Sequence, residues 1–230
     1  MSILLVGLNH KTAPVEVRER LAFTDEACTA SLHALVDGDL IREGLIVSTC
    51  NRVEILTATA TGQGEAVASR VSNFLSETRA VRADVFGEHL YTHADGAAVR
   101  HVFRVVSSLD SMVVGEPQVL GQVRRAYSLA VSAGTAGRVL HRLMHHALHV
   151  AKRVRTETGI ASSAVSISYT AVELGRKIFG SLKGATVLLV GAGEMAELAA
   201  QHLSSAGATR VLVDNFSIDD RELIAAALGA

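Results

Sequence analysis

With 230 residues, 49% hydrophobic and 20% charged, the chain suits one large domain or two small ones and can bury a real apolar core. A net charge of −1 gives the whole molecule no field that draws in nucleic acid, and two cysteines, Cys28 and Cys50, exclude a disulfide scaffold. No apolar run reaches the length of a membrane helix and no signal-type segment precedes the first strand-like run, so the expectation is a cytoplasmic protein with reduced thiols and no membrane association.

Residues 3–9 read as a strand and 15–22 as a short helix. Thr24 followed by Asp25 and Glu26 signals the N-cap of a second helix, which Gly38 closes. The apolar run 44–48 and the Thr-rich alternation of 53–60 read as neighbouring strands. Helices are expected over 62–79 and 94–107, with a weak strand at 88–91 between them. The order β-α-α-β-β-α-β-α predicts an α+β domain, a small and mainly antiparallel sheet covered by helices. From Pro117 to about Thr156 the pattern is helical throughout. Residues 158–163 read as a linker, and a helix over 165–179 ends at Gly180. The run 185–190, a glycine turn, a helix over 194–206 and a strand over 210–214 form a β-α-β unit. That unit is the opening of an incomplete α/β Rossmann-type dinucleotide-binding domain. One domain therefore covers 1–160 and a second 161–230.

Cys50 lies in Ser48-Thr49-Cys50-Asn51-Arg52-Val53-Glu54, between two strands. On an extended backbone Cys50, Arg52 and Glu54 share a face. There the guanidinium favours the thiolate or binds an anionic substrate group. A small buried thiol is the ordinary alternative; the polar neighbours of Cys50 argue for a nucleophile, whereas Cys28, on a helix, takes the ordinary reading. A thiol nucleophile needs a base. His101, close to Arg100 and Arg104, is one candidate among ten histidines, and nothing local singles it out.

The stretch from Leu109 to Gln122 offers Ser111, Glu116, Gln118 and Gln122, contacts suited to a polar substrate such as an amino acid. The same letters also spell a helix start with Pro117 near N1. Gly191-Ala192-Gly193-Glu194-Met195-Ala196 is a G-x-G-x-x-A turn after a strand and before a helix, the context that binds a pyrophosphate. Asp214 stands about twenty residues on, where an acid bonds a ribose hydroxyl. From Pro117 to Thr156 there is no acid, while Arg124, Arg125, Arg138, Arg142, Lys152, Arg153 and Arg155 all occur. This is a basic face for phosphates or a solvated helix surface. His141, His145 and His149, spaced i, i+4, extend that face or ligate a metal; with no cysteine or carboxylate beside them, no metal site is expected.

Together with Gly7-Leu8-Asn9-His10-Lys11-Thr12-Ala13-Pro14 and Leu109-Asp110-Ser111-Met112-Val113-Val114-Gly115-Glu116-Pro117-Gln118, these segments resemble glutamyl-tRNA reductase, in order and over nearly the whole chain. The resemblance implies an NADPH-dependent oxidoreductase that reduces glutamate carried on its tRNA to glutamate-1-semialdehyde, the first step of tetrapyrrole (porphyrin and heme) synthesis. It implies that Cys50 takes the glutamyl group as a thioester and that His101 is the catalytic histidine, serving proton transfer. Thr49, Cys50, Asn51 and Arg52 then form the glutamate site with Ser111, Glu116, Pro117, Gln118 and Gln122, Arg52 meeting a substrate carboxylate. Gly191, Ala192, Gly193, Glu194, Met195 and Ala196 match the NADPH phosphate loop. The implied partners are glutamyl-tRNA, a second copy in a homodimer, and glutamate-1-semialdehyde aminomutase for handover of the product. An acyl-enzyme separates ester cleavage from hydride delivery.

Two departures qualify these expectations. Where the family usually has Ala-Asn-Arg-Thr, this chain has Asp214-Asn215-Phe216-Ser217. The arginine suited to a 2′-phosphate is missing and an acid is present, so NAD is conceivable. The chain also stops at Ala230, after one β-α-β unit and a helix. The alternatives are a truncated form that only hydrolyses its thioester, an esterase, and a non-catalytic tRNA-binding remnant.

Overall fold

Residues 1–160, 167–191 and 194–214 are described by the computed structural model, in two units, Met1–Ala164 and Val165–Ala230. In the first unit β1 (Ser2–Asn9), β2 (Ile41–Thr49), β3 (Arg52–Thr59) and β4 (Tyr91–Ala94) make one antiparallel sheet in the order β2-β3-β1-β4. The interior strands β1 and β3 are buried along most of their length on both faces, so apolar residues run through them almost without break.

The helices follow the sheet from both sides. α1 (Val15–Leu21) and α2 (Asp25–Leu35) come between β1 and β2. Thr24 starts α2 as the sequence predicts, its hydroxyl accepting the Ala27 N–H at 3.2 Å. α3 (Gly64–Arg79) turns a stripe of Val67, Val71, Phe74 and Leu75 inward. A one-turn α4 (Ala83–Phe86) leads to β4, which is followed by α5 (Asp95–Val106), α6 (Pro117–Ser132) and α7 (Arg138–Glu157). On one sheet face Leu5, Leu45, Val47, Glu54 and Leu56 meet Val102, Val105 and Val106 of α5, Val123 of α6 and Met144 of α7. A single carboxylate, Glu54, thus enters an otherwise apolar layer.

Three expectations are corrected. The weak strand placed at 88–91 begins only at Tyr91, because Phe86 is fully buried and Gly87–His89 continue as a 3₁₀ turn. The helical stretch 117–156 divides into two helices. Gly134 breaks it at φ +70°, and the following loop is tied to β2 by Gly44 N–H donating to Thr135 O at 2.9 Å. Glu43 of β2 then caps α7, accepting from Val139 N at 3.0 Å and Leu140 N at 2.7 Å. The extended alignment of Cys50 with Arg52 and Glu54 fails as well. Thr49 pairs with Arg52, so Cys50 and Asn51 are a two-residue turn between β2 and β3.

The second unit contains α8 (Ile167–Phe179), β5 (Thr186–Val190), α9 (Glu194–Ser205) and β6 (Arg210–Asp214). β5 and β6 are parallel and adjacent, joined through α9, as a β-α-β unit requires. Val172, Leu182 and Leu203 form its core. The expected linker residues 161–163 and the start of the helix placed at 165 lie outside the described residues.

Candidate active site

The site grows from the turn at the end of the β2–β3 hairpin. Neither Cys50 nor Asn51 has a positive φ, so the turn does not use the glycine-type geometry of most two-residue hairpins. Thr49 staples it instead: its Oγ1 accepts the N–H groups of Asn51 at 3.1 Å and Arg52 at 3.2 Å. Two neighbours hold the turn from outside. His10 N–H donates to Asn51 O at 2.9 Å, and Arg18 of α1 donates to Cys50 O. The Cys50 thiol is thereby presented at an exposed position on a fixed backbone. Cys28 is the opposite case, buried in α2, its thiol pushed up to about 11 by burial and by Asp25.

Behind the turn lies a buried ionic cluster. Glu54 Oε1 accepts from Arg52 Nη1 at 2.7 Å, from His101 Nε2 at 2.7 Å and from the Tyr91 hydroxyl. Burial works to raise the Glu54 carboxyl. The His101 hydrogen bond and the Arg52 charge, with help from Tyr91, outweigh it and hold the carboxyl below its ordinary value. Burial and the adjacent Glu54 charge push the Tyr91 phenol far up, so it stays protonated and donates. Arg52, 1% exposed, also donates to Asp110 O. The Asp110 carboxylate pairs with Lys11 and lies 3.7 Å from His101 Nδ1; against burial, Lys11 and Arg52 keep it ionised. Gly7 makes this cluster possible. It faces Glu54 across the β1–β3 pair, and a Cβ there would stand 2.8 Å from Glu54 Cγ and 2.6 Å from Val53 O.

The third wall is the loop between α5 and α6. Ser108 adopts φ +57° and closes the loop, its hydroxyl donating to Glu116 O at 2.7 Å. Arg155 of α7 pins it by donating to Gly115 O at 3.1 Å. Ser111 and Glu116 are buried. Burial raises the Glu116 carboxyl, against the pull of Ser111 and Arg52. Ser111 Oγ lies near that carboxyl but makes no hydrogen bond of good geometry, and Gln118 Nε2 has no partner among the described residues. Such buried orphans are uncommon in folded proteins and each asks for a reason. Pro117 sits at N1 of α6, exposed, and Gln122 follows Gln118 by one turn, half-buried.

Arg52, His101, Ser111 and Glu116 therefore gather around one buried cluster, with Thr49, Cys50 and Asn51 at its rim. Sequence reasoning set Glu54 beside Arg52 without its role as the hub, and gave no role to Tyr91, Asp110 or Lys11. Alternation from Arg52 to Glu54 was the available signal, with Gly7 in the neighbouring strand as its complement. Arg52 is also less free than expected, since both terminal nitrogens are already engaged.

In the second unit Gly191 has φ +107°, and its N–H donates to Asp214 O at 2.7 Å. A side chain is strained there, and the turn brings the end of β6 beside the start of the glycine loop. Ala192, Gly193 and the side chains of Glu194 and Met195 lie outside the described residues, as do Asn215 and Phe216; Ala196 is in the first turn of α9. Asp214 is exposed beside Gly191, which suits a ribose hydroxyl and opposes a 2′-phosphate.

The basic stretch is only partly available to phosphates. Arg125 pairs with Asp25, Arg153 with Glu157 at 2.8 Å, and Arg155 serves the Gly115 carbonyl. Arg124, Arg138, Arg142 and Lys152 are exposed. His141 meets the Tyr127 hydroxyl through Nδ1, and among the described residues no group of His, Cys, Asp or Glu is arranged to hold a metal. No described helix is long and apolar enough to cross a membrane.

Residues 6–158 match the family described as Glutamyl-tRNAGlu reductase, N-terminal domain, and residues 173–230 match Shikimate / quinate 5-dehydrogenase. Curated relatives named glutamyl-tRNA reductase from Pelobacter propionicus and Geobacter sulfurreducens are 53% and 52% identical, over 100% and 98% of this chain and 52% and 51% of their own. The solved structure of a glutamyl-tRNA reductase from Methanopyrus kandleri matches with a TM-score of 0.61 at 35% identity, covering 99% of this chain and 53% of that one. The chain spans about half the length of the curated relatives it matches.

Proposed function

The chain belongs to the glutamyl-tRNA reductase family, and from that premise we propose that Cys50 takes the glutamyl group from glutamyl-tRNA as a thioester, which is then reduced to glutamate-1-semialdehyde, the entry to tetrapyrrole synthesis. The observation that carries this reading is the exposed thiol on a stapled turn, set against a buried cluster that retains unpaired polar atoms.

In the first step the Cys50 sulfur attacks the ester carbonyl carbon. A C–S bond forms, the C–O bond to the tRNA ribose breaks, and the thiol proton ends on the departing ribose oxygen. Thr49 and Asn51 hold the turn in register. Arg52 supplies positive charge beneath the glutamate, whose polar groups are received by Ser111, Gln118 and Gln122, with Glu116 and Pro117 shaping the loop and helix start around them. His101 Nε2 is bound to Glu54, so His101 acts as a positioning residue for the Arg52–Glu54 pair. The two-step design holds the acyl group covalently on Cys50, where the thioester carbon accepts the hydride, the C–S bond breaks and the thiolate is released as the aldehyde forms.

A bound nicotinamide dinucleotide supplies the hydride. The Gly191-to-Ala196 motif, whose last residues open α9, would receive its pyrophosphate, with Asp214 beside the ribose. The family pattern favours NADPH, and the acid at 214 favours NADH. A homodimer and delivery of the aldehyde to glutamate-1-semialdehyde aminomutase belong to the same reading.

Incubation with tRNA carrying radiolabelled glutamate tests it. Label should attach to the protein through an alkali-labile bond, and reduced dinucleotide should convert it to the aldehyde. Cys50→Ser should carry none. Label on Cys50→Ser sinks the thioester. Free glutamate released by the wild type, with no aldehyde on adding NADPH or NADH, identifies the esterase instead.

A further inference from the structure

We infer that His10 is a further substrate-binding residue of this site, donating through Nδ1 to the side-chain carboxylate of the glutamyl group. This rests on the reading of Cys50 as the acceptor of that group.

His10 follows β1 directly, and its backbone N–H is bonded to Asn51 O, so the residue is fixed to the turn that carries Cys50. Its ring Nδ1 is buried and has no hydrogen-bond partner among the described residues. Burial first, then the Lys11 and Arg52 charges and more weakly Arg18, lower its pKa, with Asp110 alone opposing. The neutral imidazole carries one N–H, and Nδ1 is the nitrogen turned inward.

In the loop before α6 and in its first turn two further buried polar atoms, Ser111 Oγ and Gln118 Nε2, lack a partner of good geometry among the described residues. Arg52 links these places. It acts on the His10 ring and on Glu116, it bonds Asp110, and Ser111 and Gln118 flank those two residues in the chain. All three orphan atoms can donate. Three such donors, with the positive charges of Lys11, Arg52 and Arg18 acting on the His10 ring, are complementary to a carboxylate. An ammonium group meets the wrong sign at this position. The arrangement therefore selects a glutamyl over a glutaminyl side chain, which has the same shape without the charge. Leaving a donor unpaired costs free energy in the empty protein, and the substrate recovers it. His101 contributes none of these atoms: its Nε2 is bonded to Glu54 and its Nδ1 faces the Asp110 carboxylate at 3.7 Å.

The test compares single-turnover acylation of Cys50 by glutamyl-tRNA and by the same tRNA misacylated with glutamine. His10→Ala, melting within a few degrees of wild type, should raise the half-saturating concentration of glutamyl-tRNA about 10- to 100-fold, as for a lost hydrogen bond to a charged group. The limiting rate should change little, and the glutaminyl reaction should barely change. His10→Asn should restore the preference, because its amide nitrogen can occupy the place of Nδ1; His10→Gln, whose amide reaches to the place of Nε2, should not. A folded His10→Ala that discriminates as wild type does, or rescue by Gln and not Asn, overturns the inference while leaving the thioester intact. No acylation of the wild type overturns the thioester reading and this inference with it.

Discussion

The two units of this chain handle their strands in opposite ways. β1 and β3 are enclosed by neighbouring strands on both edges and by side chains on both faces, and Leu8, Ile55 and Ala58 have no exposure at all. Among the described residues β5 and β6 pair only with each other, and Leu188, Val190 and Val213 are each more than half exposed. An ionic cluster can be kept only in the first of these settings. Glu54, Arg52 and His101 are nearly excluded from solvent, so each hydrogen bond among them is made in a low-dielectric surrounding that strengthens it. The second unit offers a backbone turn and an exposed acid, which need little enclosure to meet a phosphate or a ribose.

Removing the anion at the centre of the enclosed unit should do the most damage. Glu54→Ala leaves Arg52 and His101 buried without their anion and should destabilise the first unit by about 3–5 kcal/mol in urea unfolding. Cys50 acylation should fall with it. Exchange of the β5 and β6 amides should stay unchanged; if those amides exchange faster too, the units are not independent. The pH dependence follows from the Glu54 and Asp110 carboxyls, both held below ordinary values. A lowered carboxyl stabilises fully above its unfolded value, here 4.5 for Glu54, and the contribution is lost as pH falls through the lower folded value. Wild type should therefore lose stability below about pH 4.5 more steeply than Glu54→Gln. Parallel curves for the two proteins would remove Glu54 from the account.

Amide exchange measures the contrast directly. Core amides of β1 and β3 should be protected at least about a hundredfold more than those of β5 and β6, since opening of a two-stranded pair exposes little further apolar surface. Equal protection would mean that the exposed faces of β5 and β6 are covered in solution.

Much of this contrast was legible in the letters, and the exceptions have physical causes. Strong local signals carried β1, the Thr24 cap and the β-α-β order, because each depends on residues a few positions apart. The shared face of Cys50, Arg52 and Glu54 rests on an extended backbone, and no glycine marks the turn that replaces it. Its geometry rests on a threonine hydroxyl bonding forward to two backbone N–H groups, which the spacing of apolar residues does not report. Glu54 was seen as a neighbour of Arg52 but not as a hub, since Tyr91, His101 and Asp110 reach it only through the sheet order and the packing of α5. His10 was hidden in a segment that carried the family resemblance without any assigned chemistry.

The smallest effect concerns the open unit. Asp214 ends β6 beside Gly191, whose N–H its carbonyl accepts. A carboxylate there accepts a hydrogen bond from a ribose 2′-hydroxyl and repels a 2′-phosphate, and being exposed it acts through solvent that screens the repulsion. The expected preference for NADH over NADPH is therefore modest, about tenfold in dissociation constant from nicotinamide fluorescence titration at low salt. Asp214→Ser should remove the repulsion and bring the two affinities together, and added salt should narrow the wild-type gap while leaving the variant unmoved. Tighter binding of NADPH by the wild type would place the 2′-phosphate away from Asp214 and end the argument from that residue.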